Sequence, residues 1–269
     1  MLTSVGRPMI VQIYEIQSPA EAESMLDLGV DHIGSVLQQE RPPQKSMLKK
    51  TIQTVQAAGH KSSLIPLFSE VEAIARALDF FRPDILHLCD ALPVQPARQA
   101  ELASIAERQM NLRERFPQVA IMRTIPIGVR SLAHRVPSLD LARTFESISD
   151  WLLTDTWLAA ENQASHQAQP VSGFVGITGR TCDWDIARQM VQSCRIPVIL
   201  AGGMGPSNVH EGILQVQPAG VDSCTQTNAV DREGRPVRFK KDPERVKLLI
   251  RRTREAVHQS GTSQNRWRN

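Results

Sequence analysis

Three features that would place this 269-residue chain in a special class are missing from it. Its four cysteines show no Cys-x-x-Cys spacing, which favours a reduced cytosolic protein over a disulfide framework or a zinc site. No apolar run approaches the length of about 18 residues that a membrane span needs, and the N-terminus lacks the apolar core of a signal peptide. The net charge of +3 is too small to indicate nucleic-acid binding. We therefore expect a cytoplasmic protein that binds neither membrane nor nucleic acid.

The composition, 41% apolar and 22% charged, suits one large globular domain. Eight strand-like segments alternate with eight helix-like segments along the chain, and several helices begin with capping signals. Examples are the capping box Ser18-Pro19-Ala20-Glu21 and the residues Ser69, Asp183 and Asp242. Such alternation predicts an α/β protein, and the count favours a closed (β/α)8 TIM barrel over a doubly wound open sheet. We expect a single barrel over residues 1–260 and a disordered tail over 261–269.

One stretch of the chain is polar and without periodicity. It runs from Thr156 to Gly173 and is rich in Asn, Gln and Ser. Long loops within compact domains are often functional. We therefore interpret this stretch as the one long loop of the protein.

The stretch from Val175 to Asp222 carries two strand–glycine–helix units in tandem. Gly179 lies in the first unit, and Gly202 and Gly203 follow a short apolar strand in the second. Glycines just after a strand let the backbone approach a ligand closely, and backbone N–H groups at a helix start favour an anion. The pattern predicts a phosphate site.

Four motifs in this half of the chain resemble, in order, those of the phosphoribosylanthranilate isomerase family. Leu153-Thr154-Asp155-Thr156 resembles the family's Leu-Leu-Asp-Thr, and the run from Thr178 to Trp184 resembles Thr-Gly-x-x-Phe-Asp-Trp. The run from Leu200 to Val209 resembles Leu-Ala-Gly-Gly-Leu-x-Pro-x-Asn-Val, and Gly220-Val221-Asp222 matches the eighth strand. The resemblance implies a TIM barrel of the ribulose-phosphate-binding type, acting in tryptophan biosynthesis.

The family's reaction is an Amadori rearrangement, in which an aminoaldose phosphate becomes an aminoketose phosphate. The resemblance implies that Asp155, at the end of the sixth strand, is the general acid. The family's base is a cysteine in a Lys-Ile-Cys-Gly context, where this chain has Gln12-Ile13-Tyr14-Glu15. Tyr14 thus occupies the base position, although a phenol with a pKa near ~10 is a poor base at neutral pH. His87, on the fourth strand, is a candidate replacement base or a polar residue in the barrel mouth.

The resemblance also implies a set of residues that bind the phosphate or the rest of the substrate. Arg41 resembles a loop arginine that can meet the anthranilate carboxylate. Gln226 stands where the family has a glycine, and it restricts close backbone approach. The complete predicted set is Gly179, Gly202, Gly203, Asp222, Thr225 and Arg41. We expect no cofactor and no metal, because His87, Cys89, Asp90 and Cys224 have a spacing that fits no standard metal site.

The leading hypothesis is an isomerase that interconverts aldose and ketose phosphates, similar to phosphoribosylanthranilate isomerase. One alternative keeps the barrel and its phosphate site but assigns a different reaction on another sugar phosphate. Another is a catalytically silent barrel that binds a metabolite or a partner protein. In the leading hypothesis the partner is a phosphorylated small molecule, and the protein is a monomer or a homodimer.

Overall fold

The fold is a closed barrel of eight parallel strands, which a computed structural model describes over residues 9–40, 46–158 and 171–260. Each strand pairs with the next along the chain, and β8 returns to pair with β1, where Gln12 lies opposite Asp222. The strands are β1 Ile10–Ile13, β2 His32–Leu37, β3 Lys61–Pro66, β4 Ile85–Leu88, β5 Ala120–Gly128, β6 Trp151–Trp157, β7 Val198–Leu200 and β8 Gly220–Ser223. The TIM-barrel prediction is confirmed.

One α-helix follows each strand and packs outside the barrel. The helices are α1 Pro19–Leu28, α2 Met47–Ala57, α3 Val71–Phe81, α4 Gln99–Arg115, α5 Ser138–Glu146, α6 Trp184–Ser193, α7 Val209–Val216 and α8 Pro243–Gln259. Across the three described ranges, none of these helices combines the length and apolar character that crossing a bilayer requires.

The side chains that cap the helices mostly agree with the sequence signals. Ser18 accepts a hydrogen bond from the backbone N–H of Glu21, and Asp183 and Asp242 cap α6 and α8 in the same way. Ser69 as the cap of α3 is wrong. The carboxylate of Glu70, one residue later, accepts from Ala73 N at 2.7 Å, because Glu70 directly precedes the first helical residue.

β6 is longer than the sequence predicts. Thr156 and Trp157 continue the strand and pair with Ile127 and Gly128 of β5, so the predicted loop does not begin at Thr156. Residues 159–170 of that loop lie outside the described residues, as does the predicted disordered tail, 261–269. The single domain over residues 1–260 stays a prediction.

A hairpin between β8 and α8 is absent from the sequence-based prediction. Its strands are β9 Asn228–Val230 and β10 Pro236–Lys241, which form a separate antiparallel sheet. Arg238 of β10 pairs with the carboxylate of Glu15, which follows β1 and is only 1% exposed. This ion pair, between a buried carboxylate and an exposed guanidinium, ties the hairpin to the end of β1, beside the barrel mouth.

The upper part of the barrel interior is filled by the ring of Tyr14, which lies directly over Gly34 of β2. A Cβ atom placed on Gly34 would lie 2.2 Å from Tyr14 Cδ1, far inside the van der Waals distance. The phenol ring therefore occupies space that only a glycine at position 34 leaves open.

This packing gives a testable prediction for Gly34→Ala. We expect the free energy of unfolding to fall by about 1–3 kcal/mol, because the added methyl group overpacks the barrel against the ring. In a Tyr14→Ala background the same substitution should cost little. A Tyr14→Phe background keeps the ring and should keep the cost. Denaturant titration of the single and double variants measures these changes in the free energy of unfolding. Equal effects of Gly34→Ala in the wild-type, Tyr14→Ala and Tyr14→Phe backgrounds would contradict the proposed contact.

Candidate active site

The carboxyl ends of the barrel strands surround a cavity of about 50 Å³. Its wall includes Tyr14, His87, Thr124, Asp155 and Asp222. A second cavity, of about 30 Å³, adjoins it and shares Asp155 and Asp222 as lining residues. Active sites of (β/α)8 enzymes lie at this face of the barrel. The cavity pair is therefore the candidate active site.

Asp155 projects into both cavities from the end of β6. Its Oδ1 accepts a hydrogen bond from Thr156 N at 2.7 Å, whereas Oδ2 has no hydrogen-bond partner among the described residues. Gly176 makes room for Oδ2, because a Cβ at that position would lie 2.2 Å from it. Burial raises the pKa of Asp155 to about 7, against the opposing hydrogen bond from Thr156.

Asp222 faces the same space from β8 and is 8% exposed. Its Oδ1 accepts a hydrogen bond from Gln12 Nε2 at 3.0 Å. Burial raises the pKa of Asp222 to about 7; the hydrogen bond from Gln12 and the charge of Lys241 oppose the rise, and the charge of Asp155 adds to it. The mouth thus holds two carboxyl groups that titrate near neutral pH, as acid–base catalysis requires.

Gln12 is itself held in place by His32 of β2. The ring atom His32 Nδ1 lies 3.2 Å from Gln12 Oε1. Burial lowers the pKa of His32 to about 4, so the imidazole is neutral, and Nδ1 carries the proton because a carbonyl oxygen only accepts. This contact turns the amide nitrogen of Gln12 toward Asp222. The sequence places Gln12 and Tyr14 on one face of β1 by their alternation, but it gives no sign of the contacts with His32 and Asp222.

Tyr14 and His87 belong to one chain of hydrogen bonds across the barrel. The Tyr14 hydroxyl lies 2.5 Å from Ser63 Oγ and 2.6 Å from His87 Nδ1, and His87 Nε2 lies 2.7 Å from Thr124 Oγ1. Burial raises the pKa of Tyr14 well above its usual value and lowers the pKa of His87 to about 3. Burial disfavours the phenolate of Tyr14 and the protonated form of His87, and the hydroxyl and both ring nitrogens are hydrogen-bonded, which argues against either residue as the base.

The predicted phosphate residues lie together around the second cavity. Gly179, Gly202 and Gly203 have φ angles of 64°, 86° and 63°, a region that favours glycine. Thr225 follows β8 and lines the same cavity. Gln226 Nε2 donates to the carbonyl oxygen of Gly179 at 2.8 Å and so ties the loops after β6 and β8 together.

The predicted set is thus gathered in one place with one exception. Gly179, Gly202, Gly203, Asp222 and Thr225 all line the second cavity, whereas Arg41 lies outside the described residues. Within residues 9–40, 46–158 and 171–260, no three His, Cys, Asp or Glu side chains are arranged to hold a metal ion.

The segment before α6 forms one wall of the mouth. Phe174 makes an antiparallel bridge with Asp90, and Val175 N donates to Cys89 O at 2.9 Å. The buried guanidinium of Arg123 holds Asp90 at 2.7 Å. These contacts fix the segment to the end of β4, so that Phe174 and Val175 line the cavity.

The architecture and the paired carboxyl groups define a (β/α)8 barrel with an acid–base site next to a glycine-lined cavity. The family model for N-(5'-phosphoribosyl)anthranilate (PRA) isomerase matches residues 120–251, which run from β5 into α8. Over these residues, just under half of its length, the chain is similar to this isomerase family.

Two relatives are similar to this chain over nearly its whole length, and solved structures share its fold. The N-(5'-phosphoribosyl)anthranilate isomerase of Methanothrix thermoacetophila is 29% identical over 91% of this chain and 97% of its own length. Isomerase 1 of Methanosarcina mazei is 28% identical over 91% of this chain and 94% of its own length. The phosphoribosylanthranilate isomerase structures from Thermotoga maritima and Pyrococcus furiosus share the fold, with TM-scores of 0.61 and 0.59 at 17% and 19% identity. Each of these two comparisons covers 92% of this chain and 99% of the solved chain.

Tyr14 is the single tyrosine of the chain, so its ionisation can be followed directly. We expect the ultraviolet absorbance of tyrosinate to stay absent well above pH ~10 while the protein is folded, because burial disfavours the phenolate. The absorbance should rise together with unfolding. A tyrosinate signal in the folded protein near neutral pH would contradict this account and restore Tyr14 as a base.

A second prediction concerns the dependence of stability on pH. The pKa of Asp222 rises on folding from 3.8 to about 7, so the native state binds the proton more tightly and stability falls as pH rises between these values. Asp222→Asn removes the titrating group, so the variant does not lose stability in this way as pH rises. We expect the variant to exceed wild type by about 1–3 kcal/mol near pH ~8, and the difference to vanish below pH ~4. Denaturant titration across pH measures it.

Asp140→Asn is the matched control, because the Asp140 side chain is 75% exposed on α5. Its effect on stability should be small at every pH. If Asp222→Asn behaves like this control, the buried carboxyl does not titrate as described.

Proposed function

We propose that the protein is an aldose–ketose isomerase that converts N-(5'-phosphoribosyl)anthranilate, a phosphorylated sugar amine, into its aminoketose. The observation that carries the proposal is the position of Asp155. It is a carboxyl group with a pKa of about 7 at the junction of the mouth cavity and the glycine-lined cavity. The similarity to the isomerase family supports the same reaction.

In this proposal Asp155 is the general acid. Its raised pKa lets it hold a proton near neutral pH, whereas an ordinary aspartic acid has lost it. Proton transfer to the ribose ring oxygen breaks the bond from that oxygen to C1, and the nitrogen lone pair forms the Schiff base. Asp155 lines the cavity, and its Oδ2 has no hydrogen-bond partner among the described residues, so this oxygen is available for the transfer.

The phosphate of the substrate would lie in the glycine-lined cavity, near Gly179, Gly202, Gly203 and Thr225. Positive φ angles at the three glycines turn the backbone there, and the loops after β7 and β8 are the usual phosphate site of this fold. Because Asp155 and Asp222 line both cavities, a phosphate in one cavity would place the sugar beside both carboxyl groups. Arg41 is proposed, from the resemblance alone, to meet the carboxylate of the aromatic ring.

One observation favours a second candidate function. Tyr14 fills the place of the family's cysteine, and its hydroxyl is held by Ser63 and His87. A smaller mouth suits a different phosphorylated sugar and a different reaction. Screening a set of sugar phosphates separates the candidates: turnover of another substrate supports the second, and binding without turnover supports a silent barrel.

We also propose that the protein is cytoplasmic and is a monomer or a homodimer.

Asp155→Asn provides the direct test of the acid. We expect kcat for phosphoribosylanthranilate conversion to fall by about 10²–10⁴, because Asn cannot donate the proton that opens the ring. Asp140→Asn, a change of an exposed carboxyl group on α5 that lines neither cavity, should retain wild-type activity. Kinetics on purified proteins, together with growth of an isomerase-deficient tryptophan auxotroph, measure the effect. Full activity of Asp155→Asn would remove Asp155 from the mechanism, and an inactive wild type would reject the isomerase.

A further inference from the structure

The proposed isomerisation needs a base that removes the proton from C2 of the sugar, and the groups on β1 and β4 are poorly suited to it. The Tyr14 hydroxyl and both ring nitrogens of His87 are engaged in one hydrogen-bond chain. Glu15 also lines the mouth, but Arg238 pairs with its Oε1 and Phe239 N donates to its Oε2. Among the described residues, the remaining carboxyl groups that line the mouth are Asp155 and Asp222.

Asp222 presents one oxygen that is free to accept a proton. Gln12 Nε2 holds Oδ1 at 3.0 Å, and Oδ2 has no hydrogen-bond partner within the part of the chain that the structure describes. Since His32 in turn orients Gln12, the carboxylate is fixed by a relay of two side chains. A base held in this way needs little reorganisation when the substrate arrives.

The surroundings of the two carboxyl groups differ in a way that separates their roles. Lys241, whose Nζ also contacts Cys224 O at 2.9 Å, is close enough to favour the ionised form of Asp222, as does the amide of Gln12. Within the three described ranges, no cation acts on Asp155 in this way, and the backbone N–H of Thr156 favours its charged form. The charge of Asp155 raises the pKa of Asp222, so the two carboxyl groups do not ionise independently. Asp222 therefore has two neighbours, Gln12 and Lys241, that stabilise its carboxylate once it forms, whereas the charged form of Asp155 is favoured by the backbone N–H of Thr156.

We propose that Asp222 is the general base of this reaction, a role that the β1 position cannot fill here. The inference rests on the proposed function. In the step it performs, Asp222 Oδ2 takes the proton from C2, and the C2–H electrons form a C1=C2 double bond. The C1=N electrons return to nitrogen as a lone pair. The enol hydroxyl at C2 then loses its proton as C1 gains one, which yields the aminoketose.

The Asp222 variants test this assignment in the full-length protein with phosphoribosylanthranilate as the substrate. We expect Asp222→Asn to lower kcat by about 10²–10⁴ with little change in KM, because Asn keeps the contact with Gln12 but cannot take a proton. The kinetic isotope effect with C2-deuterated substrate should increase, because proton abstraction then limits the rate. The acidic limb of the pH–rate profile should disappear. Formate added to Asp222→Ala should restore part of the activity.

Two comparison variants distinguish Asp222 from other candidate bases and from a general effect of removing a carboxyl group. Asp140→Asn should match wild type in every measurement, since its carboxyl is exposed on α5. Tyr14→Phe keeps the ring over Gly34 and removes only the hydroxyl, and its kcat should fall by less than about tenfold. If Tyr14→Phe instead shows the large loss and the larger isotope effect, the phenol is the base and the inference is wrong.

Three further outcomes would overturn the assignment of Asp222 as the base. If Asp222→Asn raises KM and leaves the isotope effect unchanged, Asp222 only binds the substrate, and the base role is overturned while the isomerase stands. Undiminished kcat in Asp222→Asn overturns it as well. Failure of the well-folded wild type to convert the substrate rejects the proposed function itself, and the base role with it.

Discussion

The pairing of β8 with β1 closes the barrel, and the chemistry of the mouth depends on this contact. The register sets Gln12 opposite Asp222, and Tyr14 N donates to Ser223 O at 3.2 Å. Side chains alternate along a strand, so the same register that brings Gln12 to the carboxylate also turns Tyr14 into the mouth. A shift of one residue would move both side chains to the outer face. The acid–base site therefore depends on barrel closure as much as on the identity of its residues.

Burial tunes the ionisable groups of the mouth in opposite directions through one physical cause. Removing water disfavours whichever form carries the charge. It therefore raises the pKa of Asp155 and Asp222 to about 7, and it lowers the pKa of His32 to about 4 and that of His87 to about 3. The pKa values of the two carboxyl groups shift toward neutral pH, where proton transfer is useful, and those of the two histidines shift away from it. In this mouth the histidines serve as neutral hydrogen-bonding groups.

Much of the fold could be predicted from the sequence because local signals repeat. Glycines after strands, helix caps and the alternation of segments are each readable within a few residues, and together they gave the barrel and the glycine-lined cavity. The errors were local as well. The sequence predicts Ser69 as the cap of α3, where the structure uses Glu70, and β6 continues through Thr156 and Trp157 because β5 extends beside it.

The features that sequence reasoning missed need contacts between distant residues. Gln12, His32 and Asp222 form a network across three strands, and no local pattern marks it. The β9–β10 hairpin was also missed, although Gly234 sits at its turn with a φ of 78°. The ion pair that anchors it joins residues 223 positions apart in the chain. Such contacts become visible only once the register of the barrel is known.

The replacement of the family's cysteine by Tyr14 is supported by several neighbours at once. The ring needs the space over Gly34, and the hydroxyl needs Ser63 and His87 to satisfy its hydrogen bonds after burial. These neighbours hold the phenol as a neutral, fixed part of the barrel top. On the adjoining strand β8, Asp222 lines the same cavity, and its Oδ2 has no hydrogen-bond partner among the described residues. The loss of a thiol on β1 therefore need not end proton abstraction, because a carboxylate on the adjoining strand β8 faces the same cavity.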